Sequence, residues 1–379
     1  MIFADKSTGH HLEYIELLLK LSIEDKDNVY AFQIPFSFKK KLENSFRLCD
    51  INSFEIIFFS DFLELDSSRW NYLSRSFRVC RFIKRHLFEH NIDHLVVLSL
   101  MNLLPLLPFF FRRDISISGF VYLIYLFRWK KSNWKLRVLD VTKFIILTKS
   151  RVVKDIFLVN GSGTDQYLNK LYGTVKFSFL PDPLKYIPLE NLNSIDTLLK
   201  SNNNQLVISH FGYLSQRKGT IEFLEAIRML ESSSINNYRF ILAGEVDEMI
   251  FAEFHQLLNV LNGYVDITYF SGFVDDSIIG SICMSSDYIM IPYTNVEQSS
   301  GMLGYGAQFK VPVIGPKKGL LGKLIRRYEL GILLENVDRF SLKIVLQSLI
   351  KSDKVIPSDY LKDNSADRFI DKIKIKISE

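Results

Sequence analysis

The sequence has few of the residues that hold metals or build disulfide frameworks. Its three cysteines, Cys49, Cys80 and Cys283, are scattered through 379 residues without metal-ligand spacing. An odd, scattered set argues against a disulfide-stabilised secreted protein and favours a reducing cytoplasm. The aspartates do not cluster either, so the sequence predicts neither a metal nor a bound cofactor.

Long apolar runs and a strong charge excess are also missing. The most apolar stretch, residues 95–111, has only the minimum length for a membrane span and contains Pro105 and Pro108. We therefore expect a buried strand at residues 95–100, then a loop and a short helix.

The N-terminus turns polar at Asp5, too early for a signal peptide. A net charge of +5 is modest, and no nucleic-acid-binding module is recognisable, so we expect no nucleic-acid partner.

What the chain does have is the composition of a globular protein. Hydrophobic residues make up 47% and charged residues 23%, which suits sizeable cores, and 379 residues suggest two or three domains. Hydrophobic periodicity is lost over residues 189–205, as is typical of a linker. We divide the chain into an N-terminal domain (1–188), this linker, a C-terminal domain (206–356) and a final helical segment (357–379).

Short β-prone runs alternate with helical patterns in both predicted domains. The expected strands of the first are residues 2–4, 28–33, 55–60, 95–100, 115–122 and 144–148. Those of the second are residues 206–211, 238–243, 267–270, 289–293 and 311–315. This alternation is typical of Rossmann-like α/β domains with parallel sheets, which bind ligands beyond the carboxyl ends of their strands.

The chain is organised around residues 289–315, which combine a strand, a polar turn, a helix of small residues and a second strand. Glu297 follows the first strand, and Ser299, Ser300 and Gly301 are expected to open the helix. The free amides at a helix start bind anions and sugar hydroxyls. The alternative is a capped helix with a surface glutamate.

A glycine-containing turn after residues 206–211 gives a second candidate. It runs from Gly212 to Gly219 and places Arg217 and Lys218 at the start of the next helix. Two cations there can bind a diphosphate together with helix amides. The alternative is a plain basic turn.

The turn between the first strand and the first helix is a third candidate, with Gly9, His10 and His11. A Rossmann-type domain receives its ligand at this point of the chain. The alternative is that one or both histidines cap the helix or lie on the surface.

The turn at residues 212–219 and the stretch at residues 289–315 resemble motifs of the retaining GT-B glycosyltransferases of family four. That family has Gly-Arg-Leu and then Lys-Gly in the turn, and later a Glu, seven residues, a second Glu and a Pro-Val-Ile strand. Lys218 keeps its family position, and Glu297 lies fifteen positions before Pro312, where the family has its first Glu. Tyr213 stands in place of the family's Arg and Tyr305 in place of its second Glu.

The resemblance implies a GT-B fold, with two Rossmann-like domains, an interdomain cleft and a terminal helix that returns to the N-domain. It implies transfer of a sugar from a nucleotide-sugar to a glycan or lipid-linked acceptor, with retained configuration, in surface-polysaccharide biosynthesis. Lys218 and Arg217 would bind the leaving diphosphate and Glu297 the donor sugar. The other donor-binding residues implied are Gly212, Phe273, Val274, Ser299, Ser300, Gly301, Met302 and Tyr305. Gly9, His10 and His11 would face the acceptor or the phosphate.

Two other functions are compatible with these motifs. A nucleotide-sugar epimerase of GT-B fold would use the same diphosphate site, but it needs acids and bases around the sugar ring, which the sequence does not identify. A non-catalytic scaffold that binds a nucleotide-sugar would explain the missing second Glu.

Two further stretches mix basic and aromatic residues. Residues 68–88 have a helical pattern, and residues 127–135 contain Phe127, Trp129 and Trp134 among basic residues. The basic residues of the first stretch are Arg69, Arg75, Arg78, Arg81, Lys84 and Arg85. This combination suits docking on anionic lipid at the cytoplasmic face of a membrane. The alternative is a solvated helix face.

Overall fold

The protein consists of two compact units. The computed structural model describes residues 1–5, 11–39, 42, 54–59, 72–89, 91–111, 115–122, 124–129, 132–159, 163–184, 186–188, 205–296, 300–351 and 359–378. Unit 1 comprises residues 1–183 and 364–379, and unit 2 comprises residues 184–363. Most of the predicted linker, residues 189–204, lies outside the described residues.

The described strands of unit 1 form a parallel sheet. They are β1 Ile2–Phe3, β2 Tyr30–Pro35, β3 Phe54–Phe59, β4 His94–Val97, β5 Ser116–Val121, β6 Val153–Val159 and β7 Phe177–Leu180. Their order across the sheet is β3-β2-β1-β4-β5-β6-β7, with every pairing parallel. The strand order therefore reverses direction between β1 and β4, as in a Rossmann-like domain.

Helices cover both faces of this sheet. The described ones are α1 His11–Glu24, α2 Tyr72–Glu89, α3 Leu107–Phe110, α4 Tyr125–Arg128, α5 Trp134–Lys149, α6 Thr164–Tyr172 and the C-terminal helix Ala366–Ser378. α1 and the C-terminal helix share one core with one face of the sheet, and α2 to α6 share the core on the other face. The two helices of the first core meet where the rings of Tyr14 and Phe369 stack at 5.2 Å.

One predicted strand is wrong. Residues 144–148 lie inside helix α5, and the strand that follows is β6. Asn133 caps this helix by accepting a hydrogen bond from the Leu136 amide at 2.9 Å, and Phe144 and Leu147 are buried at helical spacing. Helix capping and burial on one side therefore outweigh the β propensity of the Phe-Ile-Ile-Leu-Thr run.

The apolar stretch at residues 95–111 folds largely as expected. It enters the sheet as β4, continues through a 3₁₀ turn Leu100–Leu103 and ends in the short helix α3. Among the described residues, no helix combines the length and the apolar composition needed to cross a bilayer.

Unit 2 repeats the architecture with a second parallel sheet. Its described strands are β8 Leu206–Phe211, β9 Tyr238–Gly244, β10 Asp266–Ser271, β11 Tyr288–Met290, β12 Val313–Pro316 and β13 Gly331–Leu334. Their order is β10-β9-β8-β11-β12-β13, with all pairings parallel. Relative to chain order this is 3-2-1-4-5-6, the Rossmann arrangement, with its switch point between β8 and β11.

The helices of unit 2 lie on both faces of this sheet, because two separate buried clusters flank it. They are α7 Thr220–Arg228, α8 Ser232–Ile235, α9 Phe251–Leu261, α10 Asp276–Ser285, α11 Met302–Gln308, α12 Gly319–Arg327, α13 Arg339–Ser348 and α14 Asp359–Asp363. The predicted strands at residues 206–211, 238–243 and 267–270 are confirmed within one or two residues.

Candidate functional site

The candidate site lies at the carboxyl ends of β8 and β11 in unit 2. These strands are neighbours in the sheet, although β9 and β10 come between them in the sequence. Open α/β sheets bind ligands at such a switch point, because the loops leaving the two strands separate there. The turn that contains Arg217 and Lys218 follows β8, and the predicted sugar-binding turn follows β11.

The two loops touch through their backbones. The turn after β8 forms a 3₁₀ turn Gln216–Lys218 and then passes through Gly219, whose φ of 67° is left-handed. A Cβ at Gly219 would collide with the carbonyl oxygen of Pro292, so only glycine allows this approach. The Thr294 amide donates to the Arg217 carbonyl at 3.0 Å, which fixes the basic turn against the loop after β11.

The ammonium group of Lys218 is buried in the turn after β8. Its side chain is 8% exposed, and Nζ donates to the Phe211 carbonyl at 3.3 Å. The missing side chain of Gly212 makes room for it, because a Cβ there would collide with Nζ. Within the described residues, no carboxylate pairs with Lys218 or with its exposed neighbour Arg217. The turn therefore presents two cations whose charge the described protein does not balance.

Tyr293 connects the basic turn to the start of helix α11. The Arg217 guanidinium lies 5.3 Å and the Lys218 ammonium 5.7 Å from the centre of its buried ring, within cation–π range. Its hydroxyl forms a 2.9 Å hydrogen bond with Ser300 Oγ and a 3.4 Å contact with Met302 Sδ. One aromatic side chain thus brings the two candidate stretches together.

Helix α11 begins slightly later than the sequence predicts. Its first residue is Met302, and Gly301 precedes it with helical angles. The N-cap residue is Gly301, without a side-chain cap, and Ser300 Oγ just before it accepts a hydrogen bond from the Met302 amide at 3.3 Å. Glu297 and Ser299, predicted to hold the sugar, lie outside the described residues.

Tyr305, predicted to replace the family's second Glu, lies in the first turn of α11. Its half-buried ring packs against the core of unit 2 and contacts the Phe211 ring at 5.9 Å. Packing against the sheet is therefore part of its role, and a contact with ribose stays a prediction.

The predicted base-binding residues follow β10 at the same edge of the sheet. Gly272 turns the chain with a φ of 85°, and Phe273 beyond it is 95% exposed. Val274 packs on the core, and Asp275 caps helix α10 by accepting from the Ile278 amide at 2.9 Å. This loop offers an exposed aromatic face two strands away from β8, and base binding there stays a prediction.

In unit 1, His11 is the one described member of the first-turn candidates, because Gly9 and His10 lie outside the described residues. It opens helix α1 and is buried at 7% exposure. Its ring stacks on Tyr122 at 5.6 Å, and Nε2 lies 3.3 Å from Ser99 Oγ. His11 is thus held inside unit 1 at the carboxyl ends of β4 and β5.

The sequence analysis did not identify His210, a residue of β8 whose hydrogen bonds join the elements around the site. It is fully buried, with Nδ1 3.0 Å from the Met290 carbonyl and Nε2 3.0 Å from Thr220 Oγ1. Burial, assisted by the charge of Lys218, lowers its pKa to about 4. The neutral ring therefore donates to the carbonyl and accepts from the hydroxyl, which ties β8 to β11 and to α7. A lone histidine within an apolar strand was the only available signal.

Comparisons with known proteins identify the fold. No family model and no curated protein sequence match the chain. Solved structures do match it. HepE from Anabaena, solved with UDP and glucose, is 14% identical, with a TM-score of 0.66 over 100% of this chain and 98% of that one. WaaG, a glycosyltransferase involved in lipopolysaccharide biosynthesis, is 16% identical, with a TM-score of 0.60 over 99% and 93%. A glycosyltransferase from Rickettsia africae is 14% identical, with a TM-score of 0.67 over 100% and 97%.

The chain has the GT-B fold. The resemblance found in the sequence is confirmed at this level, because the matches span both Rossmann-like units. In this GT-B chain the Arg217–Lys218 pair lies at the switch point of unit 2. The fold thus rests on the comparisons, while the geometry of the candidate site comes from the chain's own residues, and ligand binding there stays a prediction.

Proposed function

We propose that the protein is a retaining glycosyltransferase of the cytoplasm. It moves a sugar from a nucleotide-sugar to a glycan or lipid-linked acceptor in surface-polysaccharide biosynthesis. The carrying observation is the Arg217–Lys218 pair at the switch point of a GT-B domain, without a described carboxylate partner. HepE, which has the same fold, was solved with UDP and glucose, and WaaG is involved in lipopolysaccharide biosynthesis.

The charge at Lys218 supports a diphosphate as the ligand. A buried ammonium group is costly unless an anion or several hydrogen bonds compensate for its lost hydration. In the described residues Lys218 has one carbonyl partner and the face of Tyr293. A diphosphate oxygen would supply the missing negative charge, and the exposed Arg217 would contact the same group from the solvent side.

The same cations would also lower the barrier to transfer. As the bond between the sugar and the diphosphate breaks, negative charge accumulates on the departing phosphate oxygen. Lys218 and Arg217, fixed on Tyr293, would stabilise that charge without reorganising during the reaction. The acceptor hydroxyl attacks the anomeric carbon on the face from which the diphosphate departs and gives its proton to the departing phosphate oxygen, so the configuration is retained.

The sugar would lie towards the start of α11, next to the diphosphate. Ser300 and Met302 contact the hydroxyl end of Tyr293, whose ring carries the two cations. In this arrangement Glu297, five residues before Met302, would accept hydrogen bonds from two sugar hydroxyls. Tyr293 would thus contact both the diphosphate subsite and the sugar subsite.

Incubation with a panel of nucleotide-sugars, with and without an acceptor lipid, tests this function. We expect acceptor-dependent release of nucleotide from at least one donor, and its loss in Lys218→Ala. Conversion of the donor to its epimer without release would identify an epimerase instead. Binding without either reaction would identify a non-catalytic scaffold.

A further inference from the structure

The exposed surface of helix α5 in unit 1 is apolar where a solvated helix would be polar. Trp134 is 69% exposed, Val138 57%, and Leu136 and Leu139 46% each. The capping bond to Asn133 shows that these residues belong to a formed helix. Four large apolar side chains in two turns are thus presented to solvent, an arrangement that marks an interaction surface.

Two other helices on the same face of the sheet also carry exposed apolar side chains. In α2, Leu73 is 57% and Phe77 46% exposed, and in α3 Phe109 is 78% exposed. Phe77 contacts Phe110 edge-on at 5.2 Å, so α2 and α3 are in direct contact. Since α2, α3 and α5 share one core on one face of the sheet, their outer sides form one layer. We call the exposed side of α2, α3 and α5 the outer helix layer.

The outer helix layer is also strongly basic. Helices α2 and α5 contain nine lysines and arginines but only two acidic residues. Of these two, Glu89 pairs with Arg85 at 3.0 Å, and Asp140 is buried at 3% exposure. The surplus of seven positive charges exceeds the +5 of the whole chain, so the rest of the chain carries a net charge of −2. Positive charge is therefore concentrated on helices α2 and α5, whose exposed cations are Arg78, Arg81, Lys84, Arg85, Lys135 and Lys149.

We propose that the outer helix layer docks on an anionic lipid bilayer. The exposed Trp, Leu and Val side chains of α5 enter the boundary between headgroups and acyl chains, while lysines and arginines meet the lipid phosphates. A merely solvated face, the alternative from the sequence, would place polar residues at Trp134, Val138 and Leu139. The inference does not depend on sugar transfer, because vesicle binding needs no donor.

Sedimentation of the full-length protein with vesicles tests the proposal. We expect binding to phosphatidylcholine vesicles that contain phosphatidylglycerol and little binding to phosphatidylcholine alone. Raising the salt from about 0.1 M to about 1 M should release the protein, because the Debye length falls from about 10 Å to about 3 Å.

Two variants separate the apolar from the basic contribution. Trp134→Ser with Leu139→Ser should lower the partition coefficient at least about tenfold, since each exposed side chain loses its burial in the interface. Replacing the exposed Arg78, Arg81 and Lys84 with Gln should lower it roughly a hundredfold, at about fivefold for each cation near an anionic surface.

A matched control lies in unit 2. Phe340 and Ile344 on helix α13 are 56% and 66% exposed and neighbour the basic Arg339 and Lys343. The Phe340→Ser, Ile344→Ser variant should bind vesicles like the wild type. All variants should unfold at the wild-type temperature, because the substituted side chains are exposed.

Several results would overturn the proposal. They are equal binding to neutral vesicles, no binding to anionic ones, or unchanged binding in both variants. Dimerisation in light scattering that Trp134→Ser abolishes would show that a second copy covers the layer instead.

A fluorescence measurement keeps the test independent of those variants. Anionic vesicles should shift the tryptophan emission of the wild type to the blue. Trp134→Phe should sediment with the vesicles but show a smaller shift, whereas an unchanged shift would contradict insertion of Trp134. Loss of sugar transfer with intact vesicle binding would count against the proposed function and leave this inference standing.

Discussion

Lys218 and Arg217 carry the same charge in different surroundings. Lys218 is buried, while Arg217 is exposed, although both lie on the ring of Tyr293. An interaction with an anion is stronger where water is excluded, because exposed charges are screened. At the residue scale we therefore assign the larger share of diphosphate binding to Lys218.

A substitution at Gly212 tests whether donor binding depends on the position of the Lys218 ammonium group. Gly212 has a φ of 93°, and a Cβ there would collide with Lys218 Nζ. Gly212→Ala should weaken donor binding at least about tenfold, on the scale of losing a charged hydrogen bond. Gly173→Ala is the matched control, since Gly173 also has a positive φ of 59° but nothing lies within 4 Å of its Cβ. Equal donor affinity in both variants would show that the ammonium position is unimportant.

Glu297 and Tyr305 should affect different kinetic constants. A carboxylate can accept from two sugar hydroxyls, whereas a phenol offers one donor. Glu297→Gln should lower kcat roughly 10²-fold if its contacts tighten in the transition state. Tyr305→Phe keeps the ring contact with Phe211 and should raise the donor KM by less than about tenfold.

Steady-state kinetics at saturating acceptor distinguishes these outcomes. A silent Tyr305→Phe variant would assign Tyr305 to packing alone. A normal kcat in Glu297→Gln would remove the catalytic role of that turn.

At the element scale, His210 links three elements of the site. It joins β8, β11 and α7 through its two ring nitrogens. Its pKa of about 4 lies below the ordinary value of about 6.5. Between these values the unfolded chain binds a proton that the folded chain does not, so stability falls as the pH drops from about 6.5 to about 4.

This linkage predicts a pH-dependent loss of stability. Lowering the pH from 7 to 5 should decrease the free energy of local unfolding by on the order of 2 kcal/mol, because His210 binds a proton only in the unfolded chain. Hydrogen exchange of the β8 amides, corrected for intrinsic rates, measures this change in the wild type and in His210→Gln. The variant should lack that part of the decrease. His94→Gln is a suitable control, because burial also lowers the pKa of His94 to about 4 but in unit 1. An equal decrease in His210→Gln and wild type would contradict the role of His210.

The elements also show what the sequence could and could not reveal. The turn after β8 was predictable because glycines and cations sit between an apolar run and a helical pattern. The 144–148 segment was misassigned because its β propensity is local, while the Asn133 cap and the burial of Phe144 depend on the fold. The role of Tyr293 was hidden, because its contacts join loops from separate strands.

At the scale of the whole molecule, two Rossmann-like domains were predictable because both units repeat the alternation of strand and helix. The GT-B fold was predictable only through the resemblance of the motifs around Lys218 and Glu297 to those of a known family. The strand order in each sheet places one switch point in each unit. No residue pattern in one sequence names the donor base or the acceptor, since a main-chain contact or an exposed ring such as that of Phe273 accepts more than one base.

The charges of the site predict a metal-independent reaction. The diphosphate charge would be met by Lys218, Arg217 and amides at helix starts rather than by a divalent cation. Nucleotide release should therefore continue in EDTA at the untreated rate. Loss of turnover in EDTA that magnesium or manganese restores would contradict this prediction.

We propose that Lys218 and Arg217 bind the diphosphate of a nucleotide-sugar. Calorimetric titration of nucleoside diphosphates into the wild type, Lys218→Ala and Arg217→Ala tests it most directly. We predict that Lys218→Ala weakens binding at least about tenfold, as for a lost charged contact, and that Arg217→Ala weakens it less than about fivefold, as for an exposed pair. Donor turnover should fall in the same order. Wild-type affinity and turnover in Lys218→Ala would contradict the claim.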